Sequence, residues 1–178
     1  VDSNGNPVIG GRTQYSTSYS TTYGDWPTTS GSFQPNRPQL STEYDGYVTK
    51  IKNDGSDIVW STFLGSSSYS GDYVYGIAID KDDYTYAVGR TDYDFSVPFP
   101  TTSGAYQTSV KNTYEEAFCV KLDSDGDAVY STLLGGGYYD YGYAIGVDDD
   151  GQAVVGGYTR YSSSYSSGNE FPTTSGAY

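Results

Sequence analysis

The sequence predicts an all-β protein made of tandem repeats, and three observations carry this prediction. A nine-residue phrase at 26–34 returns at 99–107 and, one residue shorter, at 171–178, so successive copies start 73 and 72 residues apart. Each copy begins with an aromatic residue, continues with Pro-Thr-Thr-Ser-Gly, and is followed by a small residue and a second aromatic residue. Short runs of β-branched and aromatic residues lie between the copies, as in strands. No long stretch places apolar residues at helical spacing. A fixed period of this kind is typical of one supersecondary unit copied end to end.

The central copy contains four predicted strands, which are residues 75–80, 84–91, 117–122 and 128–134. Residues 80–83 separate the first two strands, and residues 123–127 separate the last two. Both connections are rich in Asp, and the second also contains Gly126; these residue types tolerate the positive backbone angles of tight hairpins. Two hairpins in succession predict a four-stranded antiparallel sheet for each unit.

The chain holds about two and a half of these units. The first hairpin and its turn occur three times, whereas the second hairpin occurs only twice, at 46–65 and 117–135. We therefore predict a first unit at 1–70 with a truncated first strand, a complete unit at 71–137 and the first half of a third unit at 138–178.

Four strands per period is the pattern of a β-propeller blade, so the predicted fold is a β-propeller built from four-stranded antiparallel blades of about 72 residues. Known propeller repeats are shorter, at about 40 to 50 residues. The additional residues lie mainly in the segment 93–114, between the second and third strands. The first strands, at 76–79 and 144–147, mix small and β-branched residues, which suits the crowded centre where blades converge.

Four segments resemble a known family. They are Val-Lys-Leu-Asp at 120–123, Tyr-Ser-Thr-Leu-Leu-Gly-Gly at 130–136, Tyr-Gly-Tyr-Ala-Ile-Gly-Val-Asp at 141–148 and the phrase at 171–178. Together they resemble the SBBP (seven-bladed β-propeller) repeats of bacteria and archaea. The chain departs from that pattern in its Tyr/Ser/Thr loop insertions and in Ser175, where the family has proline. The resemblance implies a propeller fold and an extracytoplasmic location, and it implies no catalytic residues.

The incomplete first and third units have three explanations. A propeller ring needs about 4 to 8 blades, and an unclosed stack leaves strand edges free to pair. The 178 residues are either part of a longer chain, a subunit whose half-units are completed by strands from its neighbours, or an isolated fragment. The first two explanations are compatible within a filament.

The composition excludes several classes of partner. The net charge of −13 and the isoelectric point near 4.1 disfavour nucleic acid and anionic membranes. No apolar run is long enough to span a membrane. The single cysteine, Cys119, cannot form an intramolecular disulfide, and it occupies the position of Val48 in the first unit, which predicts a small buried side chain. We predict an extracellular or cell-surface protein.

The absence of histidine excludes Ser-His-Asp and Cys-His catalysis and imidazole-bound metal. The acidic residues lie mainly in turns, while Glu115 and Glu116 precede a strand without an equivalent pair at Tyr44 and Asp45. The predicted function is therefore that of a non-catalytic structural or surface protein, part of a larger ring, filament or surface assembly. The alternative is a propeller that binds or cleaves carbohydrate, which would need aromatic and carboxylate side chains on one face.

Calcium is a candidate ligand of two acidic turns. Oxygen ligands beside a glycine suit a hard cation, and they occur at 123–127 and 148–151. The candidate ligands are Asp123, Asp125, Asp127, Asp148 and Asp150. Ordinary β-turns explain the same residues, and neither turn has the downstream glutamate of an EF-hand.

Two loops rich in Tyr, Ser and Thr are candidate contact surfaces. They lie at 14–26 and 158–169. Tyrosine combines a large apolar ring with a polar tip and is enriched at interfaces. The candidate residues for assembly or glycan contact are Tyr15, Tyr19, Tyr23, Trp26, Tyr161 and Tyr165. A polar loop without a partner is the alternative interpretation.

Overall fold

The computed structural model describes residues 1–15, 25–38, 43–67, 71–93, 96–111, 114–164 and 170–177. These residues form nine strands, which are β1 (Val8–Gln14), β2 (Tyr44–Ile51), β3 (Ile58–Leu64), β4 (Tyr73–Ile79), β5 (Thr85–Thr91), β6 (Glu116–Leu122), β7 (Ala128–Leu134), β8 (Asp140–Val147) and β9 (Ala153–Thr159). The all-β prediction is confirmed. Within these ranges no helix is present that could cross a membrane.

The described strands form three antiparallel sheets, in the orders β1-β2-β3, β4-β5-β6-β7 and β8-β9. The central sheet has the four strands predicted from its sequence. β4 begins at Tyr73, two residues before the predicted start, because Tyr73 pairs with Arg90 across the β4–β5 hairpin. The Arg90 guanidinium also lies 4.2 Å from the centroid of the Tyr73 ring, a contact that the spacing of apolar residues does not reveal.

The β4–β5, β6–β7 and β8–β9 turns share one geometry. In the β6–β7 turn, the Asp123 backbone N–H donates to the Asp127 carbonyl at 2.9 Å, and the Gly126 N–H donates to the Asp123 carbonyl at 3.2 Å. Gly126 has φ 79°, and Asp83 occupies the same position of the β4–β5 turn with φ 66°. An aspartate tolerates this left-handed conformation better than most residues because its short polar side chain bonds locally.

The repeated phrase lies along the outer strand of its own sheet. In the central unit, the Thr102 N–H donates to the Ser131 carbonyl at 3.0 Å, and the Leu133 N–H donates to the Gln107 carbonyl at 2.9 Å. The first unit repeats both bonds, from the Thr29 N–H to Ser61 at 3.0 Å and from the Phe63 N–H to Gln34 at 3.0 Å. The phrase therefore satisfies backbone groups of β3 and β7 that an edge strand would leave unpaired.

The three sheets stack face to face. β4 packs on β1 and β2, and β8 packs on β4, β5 and β6. β4 and β8 carry the same irregularity in register, between Val74 and Gly76 and between Gly142 and Ala144. β4 and β8, the first strands of the second and third sheets, therefore have the same backbone shape where each packs on the preceding sheet.

Apolar side chains of the first and second sheets pack into one buried core. The buried apolar cluster consists of Val48, Trp60, Leu64, Val74, Ala87, Phe99, Phe118, Val120, Leu122 and Leu133. Cys119 is also buried, with its Sγ 3.8 Å from the Tyr130 hydroxyl, which confirms the prediction of a small buried side chain. Burial raises the pKa of this thiol, so Cys119 is kept in its thiol form.

Candidate functional site

The candidate calcium ligands Asp123 and Asp148 bond to their own turns. Asp123 Oδ1 accepts the backbone N–H groups of Asp125 and Asp127 at 2.9 and 3.0 Å. Asp148 Oδ1 accepts those of Asp150 and Gln152 at 3.0 and 2.7 Å. Each carboxylate thus stabilises the hairpin turn that contains it.

Two further turn aspartates bond in the same way and also pair with a lysine of an equivalent strand of their sheet, β2 in the first sheet and β6 in the second. Asp2 Oδ2 lies 3.3 Å from Lys50 Nζ, and Asp80 Oδ2 lies 3.5 Å from Lys121 Nζ. Burial disfavours the charged form of Asp80, but hydrogen bonds from Tyr86 and from turn N–H groups, together with Lys121, hold its pKa below the usual range. Among the described residues, no three His, Cys, Asp or Glu side chains converge as a metal site. Calcium binding stays a prediction.

The structure describes three of the six predicted contact residues. Trp26 is half-buried, with its ring centroid 3.8 Å from that of Tyr47 and its indole N–H donating to the Thr49 hydroxyl at 3.2 Å, so it packs within its own unit. Tyr15 is half-buried, whereas Tyr161 is 61% exposed and available for a contact. The other three, Tyr19, Tyr23 and Tyr165, lie outside the described residues.

Two pairs of buried carboxylates lie at the junctions between successive units, and the sequence analysis missed them. In the first pair, Asp45 and Asp72 flank Gly65: a Cβ atom on that glycine would lie 2.8 Å from Asp45 Oδ1 and 3.2 Å from Asp72 Oδ2. Glu116 and Asp140 flank Gly135 in the same manner. Acidic residues at equivalent positions of two repeats are the signal that could have identified both pairs.

Hydrogen bonds replace water around these carboxylates. Asp72 accepts the Ser66 N–H at 2.8 Å, and Glu116 accepts the Gln107 side-chain amide at 2.7 Å and the Lys111 N–H at 2.8 Å. Burial nevertheless raises the pKa of Asp72 to about 7 and that of Glu116 to about 7, because the charged form loses its hydration. Burial raises the pKa of Asp140 as well.

These pKa values predict that the folded state loses stability as pH rises from 5 to 8. The folded protein binds more protons than the unfolded chain between the ordinary carboxyl pKa of about 4 and about 7, so the free energy of unfolding falls across this window. Asp45 and Asp92 are the acidic groups facing Asp72, and Arg37 pairs with Asp45. Asp72→Asn should raise the melting temperature at pH 8 by roughly 5 °C. It should also reduce the decrease in melting temperature between pH 5 and pH 8, measured by calorimetry.

Asp57→Asn is the matched control. Asp57 is exposed, and a hydrogen bond from Lys52 lowers its pKa, so its contribution is present above the unfolded pKa and is lost only in more acidic solution. Its replacement should leave the profile from pH 5 to 8 unchanged. Equal profiles for Asp72→Asn and the unmodified protein would contradict the assignment of the titration to Asp72.

Glu115 and Tyr141 form a second polar cluster, at the end of the sheets opposite the Asp turns. The Tyr141 hydroxyl donates to the Glu115 carboxylate, which is ion-paired with Arg90. Tyr75 and Tyr143 lie beside this cluster with their ring centroids 5.5 Å apart. Aromatic and carboxylate groups therefore meet here, but Glu115 is already bonded to protein groups.

One face of the third sheet is open. In the central sheet, Tyr86 and Val88 are buried, and the Tyr86 hydroxyl oxygen lies 2.9 Å from the carbonyl oxygen of Gly151, in the turn between β8 and β9. Their equivalents in β9 are Val154, which is 71% exposed, and Gly156. Among the described residues, no atom beyond the chain neighbours of Gly156 lies within 4 Å of a Cβ position on it. Near the edge of this sheet, Phe171 lines a cavity of about 250 Å³ together with Ala117 and Leu134, among other residues.

Comparison with known proteins adds no family to these observations. A scan of the chain against models of known protein families and a search of curated proteins both find no match.

Proposed function

We propose that this chain is a non-catalytic structural protein of the extracellular space or cell surface, built from propeller-type repeats of the SBBP kind. Its units stack, and the open face of the third sheet binds a further unit of the same repeat. The resulting assembly is a ring or filament. The agreement between the strand order β4-β5-β6-β7 and the four-stranded unit supports the repeat assignment.

The observation that carries this proposal is a matched pair of large and small side chains at each junction. At the junction of the first and second sheets, Gly10 faces Val74 and Ile77: a Cβ atom on that glycine would lie 2.8 Å from Val74 Cγ1 and 2.5 Å from Ile77 Cδ1. At the next junction the sizes are reversed, since a Cβ atom on Gly142 would overlap Val88. Because Gly142 is the equivalent of Val74 and Val88 that of Gly10, each junction holds one valine and one glycine.

Gly156 is the third member of the series that begins with Gly10 and Val88. A partner that carries a valine at the position of Val74 would therefore fit against it. The exposed Val154 side chain lies two residues away on the same face of β9, where it adds apolar surface. A unit of the same repeat meets both requirements.

Self-association of the chain tests this function. We expect sedimentation velocity to show a concentration-dependent increase in mass and electron microscopy to show rings or fibres. Val154→Asp should weaken the association by about tenfold or more, since a charge would be buried against an apolar surface. Val129→Asp is the matched control, because Val129 is 50% exposed on β7, away from the open face.

A monomer at all concentrations, or equal effects of the two aspartate variants, would contradict the proposed assembly. Addition of a calcium chelator to the same samples tests whether the assemblies depend on bound calcium. Loss of the assemblies on chelation would assign calcium to the turns that contain Asp123 and Asp148, whereas assemblies that persist would leave these aspartates with the turn hydrogen bonds described above.

A further inference from the structure

Tyrosine rings form a continuous path across all three sheets, which the proposed function does not use. We define the tyrosine ladder as six rings in order of contact, namely Tyr44, Tyr73, Tyr75, Tyr143, Tyr141 and Tyr158. Successive ring centroids are 5.9, 5.8, 5.5, 5.9 and 5.6 Å apart. These separations fall within the range of aromatic pairs in contact, so neighbouring rings are adjacent from the first sheet to the third.

Arginine side chains lie over the ladder. The Arg12 guanidinium carbon lies 4.4 Å from the Tyr44 centroid and 4.7 Å from that of Tyr73. The Arg90 guanidinium carbon lies 5.4 Å from the Tyr141 centroid. The positive charge of a guanidinium beside a ring disfavours a positive charge on the ring itself. An electron can therefore leave the ladder readily only where a proton leaves with it.

Tyr141 has a proton acceptor in place. Its hydroxyl donates to the carboxylate of Glu115, and that carboxylate is buried and ion-paired with Arg90. Burial raises the pKa of Tyr141, so the phenol is protonated at rest. Removal of an electron makes a phenol strongly acidic, and the proton then crosses an existing hydrogen bond without any rearrangement of the chain.

Tyr143 is the ladder ring with the greatest access to solvent. It is 51% exposed, compared with 42% for Tyr75 and 43% for Tyr158, and it follows Tyr141 by two residues in β8. Its phenolic proton can pass to water. A phenoxyl radical at Tyr143 is therefore within reach of another chain, whereas one at Tyr141 is screened by Glu115 and Arg90.

We propose that the tyrosine ladder is a redox-active element in which Tyr141 loses an electron to a one-electron oxidant while its proton passes to Glu115, and Tyr143 then couples with another chain. The oxidant belongs to the high-valent metal class, such as a peroxidase-type ferryl haem. An electron from Tyr143 then reduces the Tyr141 radical, and Tyr141 regains its proton from Glu115. Tyr143 releases its own proton to water and becomes the radical. Two Tyr143 radicals form one carbon–carbon bond ortho to the hydroxyls. Formation of each dityrosine thus removes two electrons, which two equivalents of the oxidant take up, and releases two protons.

Photochemical oxidation tests the ladder in the intact chain. Tris(bipyridine)ruthenium(III), generated by light from the ruthenium(II) complex and persulfate, serves as the oxidant. Transient absorption measures the phenoxyl radical, and mass spectrometry maps the dityrosines. We expect most cross-links to contain Tyr143. Glu115→Gln should reduce the radical yield by about tenfold or more, since a positioned proton acceptor commonly contributes that much or more to a proton-transfer rate.

Tyr106 provides the control for exposure. It is 70% exposed, more than any ring of the ladder, and it lies in the repeated phrase outside the ladder. Tyr106→Phe should leave the radical yield unchanged. Tyr141→Phe keeps the ring and removes the transferable proton, so it should match Glu115→Gln and tests the relay if the glutamate variant does not fold. Cross-links concentrated at Tyr106 and Tyr161, or an undiminished yield in Tyr141→Phe, would overturn the proposal.

Radical formation on the tyrosine ladder does not require the proposed assembly. The phenoxyl radical forms within one chain, so its yield should be the same in the Val154→Asp variant, even where self-association and coupling are reduced. Failure of the assembly would leave the radical signal intact, and failure of the ladder would leave sedimentation unchanged.

Discussion

Replacing Gly142 by valine is expected to separate the second and third sheets and to lower the free energy of unfolding by about 3 kcal/mol. A Cβ atom at this position would overlap the Cγ2 atom of Val88 and lie 3.4 Å from Val155 Cγ1. Val88 is fully buried and belongs to the four-stranded sheet, so displacing its side chain from the close-packed core costs free energy. Denaturant unfolding followed by circular dichroism measures the loss.

The double variant Gly142→Val, Val88→Gly should recover about half of that loss. It gives this junction the arrangement of the junction before it, where Gly10 faces Val74. Recovery is partial because glycine within a strand costs about 1 kcal/mol. Gly156→Val is the matched control: beyond its chain neighbours no described residue lies within 4 Å of its Cβ position, so this change should not lower the free energy of unfolding. If the double variant were no more stable than Gly142→Val alone, the size matching would not be what joins the sheets.

Phe99→Ala is expected to cost about 3 to 5 kcal/mol, the range for truncating a buried phenylalanine. The Phe99 ring is buried, and its centroid lies 4.5 Å from that of Phe118 in the central sheet. Phe99 also begins the phrase that covers β7, since the Pro100 carbonyl accepts the Ser131 hydroxyl at 2.6 Å. We expect the variant to unfold at lower denaturant concentration and to be cleaved faster within residues 99–107 by limited proteolysis.

The third copy of the phrase provides the comparison for this variant. Phe171 occupies the position of Phe99 but is only half-buried, at the edge of a cavity of about 250 Å³. Phe171→Ala should therefore cost at most about 1.5 kcal/mol, in proportion to the smaller apolar area that it buries. Equal costs for the two variants would show that the phrase contributes through its turn alone and not through the aromatic anchor.

Strands and turns were predictable because their causes are local. β7 lies at the predicted residues, and β5 and β6 each differ from the prediction by one residue at the start. Alternating β-branched residues favour an extended backbone, and an aspartate followed by a residue of positive φ favours a hairpin turn. The tandem period then placed equivalent residues in equivalent strands, so one well-predicted unit determined the interpretation of the others.

The buried carboxylates were not predictable in the same way. Glu116 was placed before a strand as a polar residue, yet it is the first residue of β6 and is fully buried. Its burial depends on Asp140 and Gln107, which approach from other parts of the unit. The sequence shows the charge of a carboxylate but does not show which backbone N–H groups are close enough to replace its water.

The sequence by itself determined the all-β class, the period and the residues of the hairpin turns, because these depend on local backbone preference and on the copying of one unit. Tertiary structure alone decided that Val88 meets Gly142, that Tyr75 meets Tyr143 and that the Glu115 carboxylate accepts a hydrogen bond from the Tyr141 hydroxyl. Each of these contacts joins residues more than 20 positions apart, and their geometry follows from how the sheets stack. Stacking depends on the shapes of two complementary faces, which no single strand encodes.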